Sequence, residues 1–581
     1  MPPKRASTRA STGAKDSKPA TTARATKART TSAAAPKKPL REAKAKANTS
    51  AKRKADADTD DKKTEKKQKR VAEPAHAEPA AKKRKTEVKE PKRVAKKEVK
   101  KEAKKREVKK EVKKKEVKEV KKKEVKKEVV KEKIVINKAP TTRLEVFVFG
   151  SNSNGELALG GTFKKAECPR PEPNSILAEA GVVQIATGGM HGVALTHDNK
   201  ILTWGVNDLG ALGRDTAWEG GLVDIDKAEE EESDEEAEIE VNPREATPTQ
   251  VDLTDVEEGT VFTQVAAADS ASFALTDDGR VYGWGTFRGS NGVFGFSPEV
   301  EVQRRPALIP SLQKVQKIAA GSNHVLALTT DGTVYAWGCG EQDQLGRRMV
   351  ERRRKEHALT PHKVGLRKGI VDIAAGSDHS FAMHKDGTVY SWGLNNYGQT
   401  GIGQNAGESE ATVLKPAIVR ALKERKGDDS SRIVQLVGGN FNSIAVTEKN
   451  ECLVWGRLDN YATGLDLSTM GKGETETEEG KDEREDVIYD DRGRPRILTV
   501  ATPLPNLKVR YAALGTEHAI AITTEGRAVS WGFNSSYQTG HPTDEDVKVA
   551  TVVNSKAVRE KTLIWAGAGG QYGMVAAELS S

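Results

Sequence analysis

Internal repetition restricts what this 581-residue chain can fold into more than any other feature. Each copy opens with an apolar stretch ending in small residues. Examples are Ile185-Ala186-Thr187-Gly188-Gly189, Ile318-Ala319-Ala320-Gly321 and Ile373-Ala374-Ala375-Gly376. A short apolar segment follows, such as Val193-Ala194-Leu195 or Leu326-Ala327-Leu328. Next comes an Asp-Gly turn, as at Asp278-Gly279, Asp331-Gly332 and Asp386-Gly387. Asp-Gly between apolar runs is a strong hairpin signal. The copy closes on a β-rich run ending in an aromatic residue and Gly. The closing aromatics are Phe149, Trp204, Trp284, Trp337, Trp392, Trp455 and Trp531. Their spacings are 55, 80, 53, 55, 63 and 76 residues. Seven openings, at Gly188, Ala268, Gly321, Gly376, Gly439, Gly515 and Gly569, match the seven closures. Periods near fifty with several short strands each mean propeller blades. The first closure has no opening before it, and the last opening has no closure after it. One blade built from both ends repairs both defects. The reading is all-β: a seven-bladed β-propeller over residues 141–581, closed by N- and C-terminal segments that share one blade.

The two longest spacings predict acidic loop insertions near 228–240 and 472–492. The first holds Glu229–Glu236 around Ser233, which reads either as an acidophilic-kinase site or as a solvated charge loop. Charge divides the chain in two. Residues 1–140 carry 50 Lys+Arg and 20 Asp+Glu, a net of +30, against −19 for the remainder. A basic tail on an acidic body suggests contact with nucleic acid or chromatin. Residues 1–97 are poor in aromatics, so they are expected to be a disordered basic tail. Two basic clusters there read as nuclear import signals. One is Lys52-Arg53-Lys54 with Lys66-Lys67 and Lys69-Arg70; the other is Lys82-Lys83-Arg84-Lys85. Residues 98–140 read as a Lys/Glu/Val-rich, partly helical spacer, because Glu and Lys fall at i,i+4 offsets. No run of about 18 apolar residues exists, which excludes a helical membrane span. The first 30 residues lack an apolar core, so no secretion signal is expected. Three cysteines without a CxxC pair argue against a disulfide scaffold or thiolate zinc site.

The repeat resembles the regulator of chromosome condensation family. The resemblance is carried by Asn207-Asp208-Leu209-Gly210-Ala211-Leu212-Gly213-Arg214, by Leu275–Val281 and by Gly338-Cys339-Gly340-Glu341-Gln342-Asp343-Gln344-Leu345-Gly346-Arg347. It spans residues 143–581. It implies a chromatin-bound guanine-nucleotide exchange factor for the nuclear small GTPase Ran. It also implies nuclear localisation, histone and DNA contacts, and importin recognition of the tail. The segment Phe287-Arg288-Gly289-Ser290-Asn291-Gly292-Val293-Phe294 is similar to the family's wedge, a hairpin pushed beside the GTPase's nucleotide. Its apolar residues Phe287, Val293 and Phe294 are expected at the tip. On that reading, Ala at Phe287 and Phe294 abolishes exchange without unfolding the propeller.

The resemblance also implies polar residues facing the GTPase: Asp269, Asn323, His324, Asp378 and Asn442. Where the family has Asp before His in the third repeat, this chain has Asn323-His324. Where it has a functional His in the fifth, this chain has Phe441-Asn442. A basic loop against the histone acidic patch is expected at Arg367 and Lys368, with Arg352 and Arg353 earlier in the same connection. Pro2-Pro3-Lys4 resembles the family's N-terminal methylation signal. His191, His324, His379 and His518 share one repeat position on separate blades, so they read as structural hydrogen-bonding groups rather than a metal ring. The reading requires no cofactor, metal, small-molecule substrate or covalent chemistry. The alternative is a chromatin-binding propeller scaffold without exchange activity.

Overall fold

The computed structural model describes residues 134–220, 241–424, 432–470 and 485–580. The tail with Pro2 and the import clusters, the spacer to residue 133, Ser233 and most of the second acidic insertion lie outside the described residues.

The fold is all-β, with short helices confined to connections. A typical copy forms the strands Val315–Ala320, His324–Thr329, Val334–Gly338 and His362–Lys363, hydrogen-bonded in that order. Neighbours are antiparallel, with Ile318 opposite Ala327 and Leu326 opposite Ala336. The middle strand is buried at all six positions. Sheets packed on both faces explain why the sequence shows continuous apolar runs rather than strict alternation. Outer strands such as Thr412–Ile418 reach the surface.

The two ends of the repeat region meet in one four-stranded sheet. Its order is Glu167–Pro173, Leu144–Ser151, Tyr572–Glu578, Leu563–Ala568, with Val146 opposite Ala576. One strand departs from the sequence pattern. Pro495–Leu514 runs through two copies, pairing with Glu451–Arg457 along its first part and with His518–Thr523 along its last. A further strand, Val487–Tyr489, pairs beside its start, where the second insertion returns.

The closing glycines are dictated by backbone geometry. All seven have positive φ, and a Cβ on Gly285 would strike the carbonyl of Ser270 in the same copy. The aromatic residue before each glycine is buried, and the six tryptophans are among the largest fully buried side chains. Five of the six indoles donate to the post-closure loop of the preceding copy: Trp204 to Glu156, Trp284 to Ala211, Trp392 to Gln344, Trp455 to Gln399 and Trp531 to Ala462, at 2.8–2.9 Å. Each of these five indoles therefore fills its sheet and fastens it to the neighbour.

All seven openings line one narrow channel of about 100 Å³. Backbone bonds join successive openings, from Asp269 to Ser322, Ser322 to Ser377, Ser377 to Gly439, Thr516 to Gly569 and Gly570 to Gly189. A Cβ on the opening Gly321 would lie 2.2 Å from the Gly376 carbonyl, and one on Gly515 2.4 Å from the Gly569 carbonyl, which explains the glycines there.

Residues 134–140 correct the expected spacer boundary. They carry no helix. The Ile136 and Asn137 amides donate to the Asp277 carbonyl, and Asn137 Nδ2 donates to the carbonyls of Thr276 and Val315 at 2.9 Å. The Glu/Lys pattern ends at residue 133; beyond it Ile134-Val135-Ile136-Asn137 offers apolar bulk and an amide suited to a sheet edge.

Candidate functional site

Chain direction defines two faces. Each first strand runs toward the channel openings, so closures also end on that opening face. Asp-Gly turns lie on the opposite, turn face. Directly after Gly285, on the opening face, the strands Phe287–Gly289 and Gly292–Gly295 form a hairpin. It is the sole isolated two-stranded sheet among the described residues.

The root of the hairpin is apolar and its tip is polar, which corrects the expected arrangement. Phe287 is fully buried. Its ring stacks on Phe273 and Phe296, with centroids 6.0 and 6.4 Å away. Val293 and Phe294 are half-buried, and Phe294 packs against the cores of two neighbouring sheets. Arg288, Ser290, Asn291 and Gly292 are the exposed residues. The sequence shows three apolar residues in a loop; only the structure shows that a register shift beside Phe287 turns its ring inward.

Three side chains from neighbouring copies hold the hairpin. Asn323 Oδ1 accepts the Arg288 backbone N–H at 2.7 Å. Asp208 Oδ2 pairs with Arg288 Nη1 at 2.9 Å and also accepts from the Ser270 hydroxyl. Glu341 Oε2 accepts the Ser290 N–H at 2.7 Å. Asn323 is thus an acceptor at the hairpin's base, a role that needs oxygen but no charge. Asp208 and Glu341 were not singled out from sequence, although both lie in the motif stretches that follow closures.

The surroundings are acidic. Burial, with the charges of Asp269 and Glu341, raises the Asp378 carboxyl to about 6, while Gln344 Nε2 donates to it at 3.0 Å. Asp269 is exposed at the channel mouth. Loss of water around its carboxylate, with the Asp208 charge, raises its pKa, opposed by a hydrogen bond to Ser322 and the Arg288 charge. An adjoining cavity of about 680 Å³ is lined by Asp208, Asp269, Arg288, Met190 and Glu517 among others.

His324 and Asn442 do not face outward as expected. Each begins a middle strand and is buried, His324 against the next sheet and Asn442 against the closure of its own. His324 Nε2 lies 2.8 Å from Ser380 Oγ, and Asn442 Nδ2 donates to the Arg457 carbonyl at 2.6 Å. His191 meets Ser272 and His379 meets Ser443 in the same way. Burial lowers the imidazoles of His191, His324 and His518 to about 4 and that of His379 to about 3. Burial also pushes the Cys168, Cys339 and Cys452 thiols up to about 12, which leaves them unreactive.

The basic residues separate. Arg367 and Lys368 precede the strand Ile370–Ala375, on the turn face. Arg367 pairs with Asp386 at 2.5 Å and lies over the Tyr390 ring. Arg352 and Arg353 belong to the connection on the opening face. The following helix, Arg354–Leu359, reaches the hairpin foot, where Lys355 and Leu359 adjoin Gly295. The four residues therefore do not form one patch.

Sheets set around a narrow channel, with one anchored polar hairpin, define an all-β, propeller-like class. The chain belongs to the RCC1-like domain family, whose model matches residues 145–575. It is similar to protein pim1 of Schizosaccharomyces pombe, 38% identical over 449 residues and 76% of either chain. It is 35% identical over 441 residues to the guanine nucleotide exchange factor SRM1 of Saccharomyces cerevisiae, covering 74% of this chain and 86% of that one. The regulator of chromosome condensation of Homo sapiens is 30% identical over 440 residues, 74% of this chain and 89% of that one. Prp20p from Saccharomyces cerevisiae, solved with a description of its binding to Gsp1p and histones, superposes with a TM-score of 0.66. Its identity is 32%, over 77% of this chain and 94% of its own.

Proposed function

We propose that this chain is a guanine-nucleotide exchange factor for the small GTPase Ran, held on chromatin in the nucleus. The anchored hairpin carries the proposal: among the described residues it breaks the repeat at one closure only, and it presents donors on the opening face. A GTPase grips nucleotide through backbone N–H groups, a lysine and Mg²⁺. A partner that binds the empty form more tightly than the loaded form must weaken nucleotide binding by the same factor. Arg288, Ser290 and Asn291 insert beside the nucleotide, and the pegged root carries the load. GDP leaves and GTP enters without a covalent step, so the protein needs no nucleophile or metal of its own. Asp269 and Asp378, beside the channel, offer acceptors to the same GTPase surface.

The scaffold is read as a seven-bladed propeller whose shared sheet closes the ring. Histones are assigned to the turn face through Arg367 and Lys368, importin to the tail's basic clusters, and DNA phosphates to its lysines. The exchange factor SRM1, and Prp20p with its described binding to Gsp1p and histones, support the exchange and histone roles. Release of a fluorescent GDP analogue from Ran, with catalytic amounts of the full chain, tests the central claim. Fast release is expected. Joining Gly289 to Gly292 by deleting Ser290 and Asn291 should return release to the uncatalysed rate with the thermal transition unchanged. A deletion variant as fast as the parent would leave a chromatin-binding scaffold with some other exchange element.

A further inference from the structure

We propose that Glu341 is a positioning residue for exchange, which rests on the function proposed above. Its carboxylate accepts the Ser290 N–H at 2.7 Å, so it holds the hairpin tip, whereas Asn323 and Asp208 hold the base. A second observation points to the same contact. A Cβ on Gly289 would lie 3.1–3.3 Å from the Glu341 carboxylate. Gly289 thus clears the approach that lets the acid reach the backbone of the turn.

The three pegs come from different loops: Asp208 after the Trp204 closure, Asn323 before the strand His324–Thr329, and Glu341 after the Trp337 closure. The tip itself has exposed side chains and no apolar packing. Beyond the Gly289–Gly292 pair, the turn residues Ser290 and Asn291 are held by the bond to Glu341. A hairpin that samples several directions is competent for only a fraction of the time, and its apparent affinity falls by that fraction. A hairpin fixed beforehand avoids that loss. Glu341 therefore acts through the backbone of Ser290, not through its charge.

The test pairs E341A with E341Q in the full chain. In the alanine variant the GTPase concentration for half-maximal release should rise about tenfold, with the thermal transition unchanged. The glutamine variant keeps an oxygen acceptor and should restore most of the loss. Glutamine as poor as alanine would overturn the proposal and make Glu341 a charge contact to the GTPase. An alanine variant equal to the parent would overturn it too. A second arm needs no GTPase. Amide hydrogen exchange at Ser290 should be accelerated in E341A and near the parent value in E341Q; unchanged protection in E341A refutes the peg. A parent chain that releases no nucleotide refutes the function, and the amide arm keeps that failure distinct.

Discussion

Two neighbouring copies of the repeat show what sets the hairpin apart. The copy closing at Trp284-Gly285 and the copy closing at Trp337-Gly338 have the same Asp-Gly turn and closing Trp-Gly. They differ at one facing pair between the middle and closing strands. Phe273 faces Gly283 in the first; Leu326 faces Ala336 in the second. A Cβ on Gly283 would sit 2.7 Å from the Phe273 ring and 3.1 Å from Phe296. The glycine makes room for Phe273, and Phe273 supplies the surface on which Phe287 and Phe296 stack. The first copy also starts its middle strand with Ala271, where the second has His324. Thus the repeat supplies a frame, and the hairpin is rooted where the frame's own packing is replaced by three aromatic rings.

The largest effect should come from breaking that root. Phe287→Ala removes a fully buried ring and leaves a cavity, at about 3–5 kcal/mol. Calorimetry should show a lower transition, and nucleotide release should be lost with it. An unchanged transition would mean the ring is not part of the core. Next in size is the acid response of the plain copy. His324 titrates at about 4 when folded and near 6.5 when free. Its folded value is lowered, so the neutral form's contribution is full above 6.5 and is lost as pH falls toward 4. At pH 5 the cost is about 2 kcal/mol relative to pH 7. His324→Asn, copying the Asn442 found at the same position of another copy, should reduce the pH 7 to pH 5 loss by that amount in denaturant melts. Equal losses would show that His324 is protonated without penalty.

Much of this was readable in the chain. Trp-Gly and Asp-Gly mark strand ends because sterics admit few other residues there, and they recur too often to be missed. The hairpin's location was legible because it interrupts that recurrence. Its polarity was not. Whether Phe287 points out or in depends on a register shift and on Phe273, fourteen residues earlier and innocuous by itself. Asp208 and Glu341 were illegible for a related reason: each looks like a solvated loop acid until the fold brings it to a hairpin 80 or 51 residues away. The basic residues misled through proximity. Arg352 and Arg367 share a connection, yet that connection crosses from one face to the other.

The smallest effect should come from Asn323→Asp, which restores the acid that the family resemblance implies. Asn323 acts in this structure as an acceptor for the Arg288 N–H. A carboxylate accepts more strongly than an amide, by about 1 kcal/mol, or roughly fivefold in rate if the whole gain reaches the transition state. The new charge would join a face that already holds Asp208, Asp269, Glu341 and Asp378, and repulsion opposes the gain. Exposed charges are screened by salt, whereas a direct hydrogen bond is not. The acceleration should therefore stay below about fivefold at low salt and increase as salt is added. Asn323→Ala removes the acceptor altogether and should slow release by about tenfold. An acceleration far above fivefold that vanishes in salt would mean that the acid touches the GTPase itself. The amide would then be a functional loss in this chain rather than an equivalent peg.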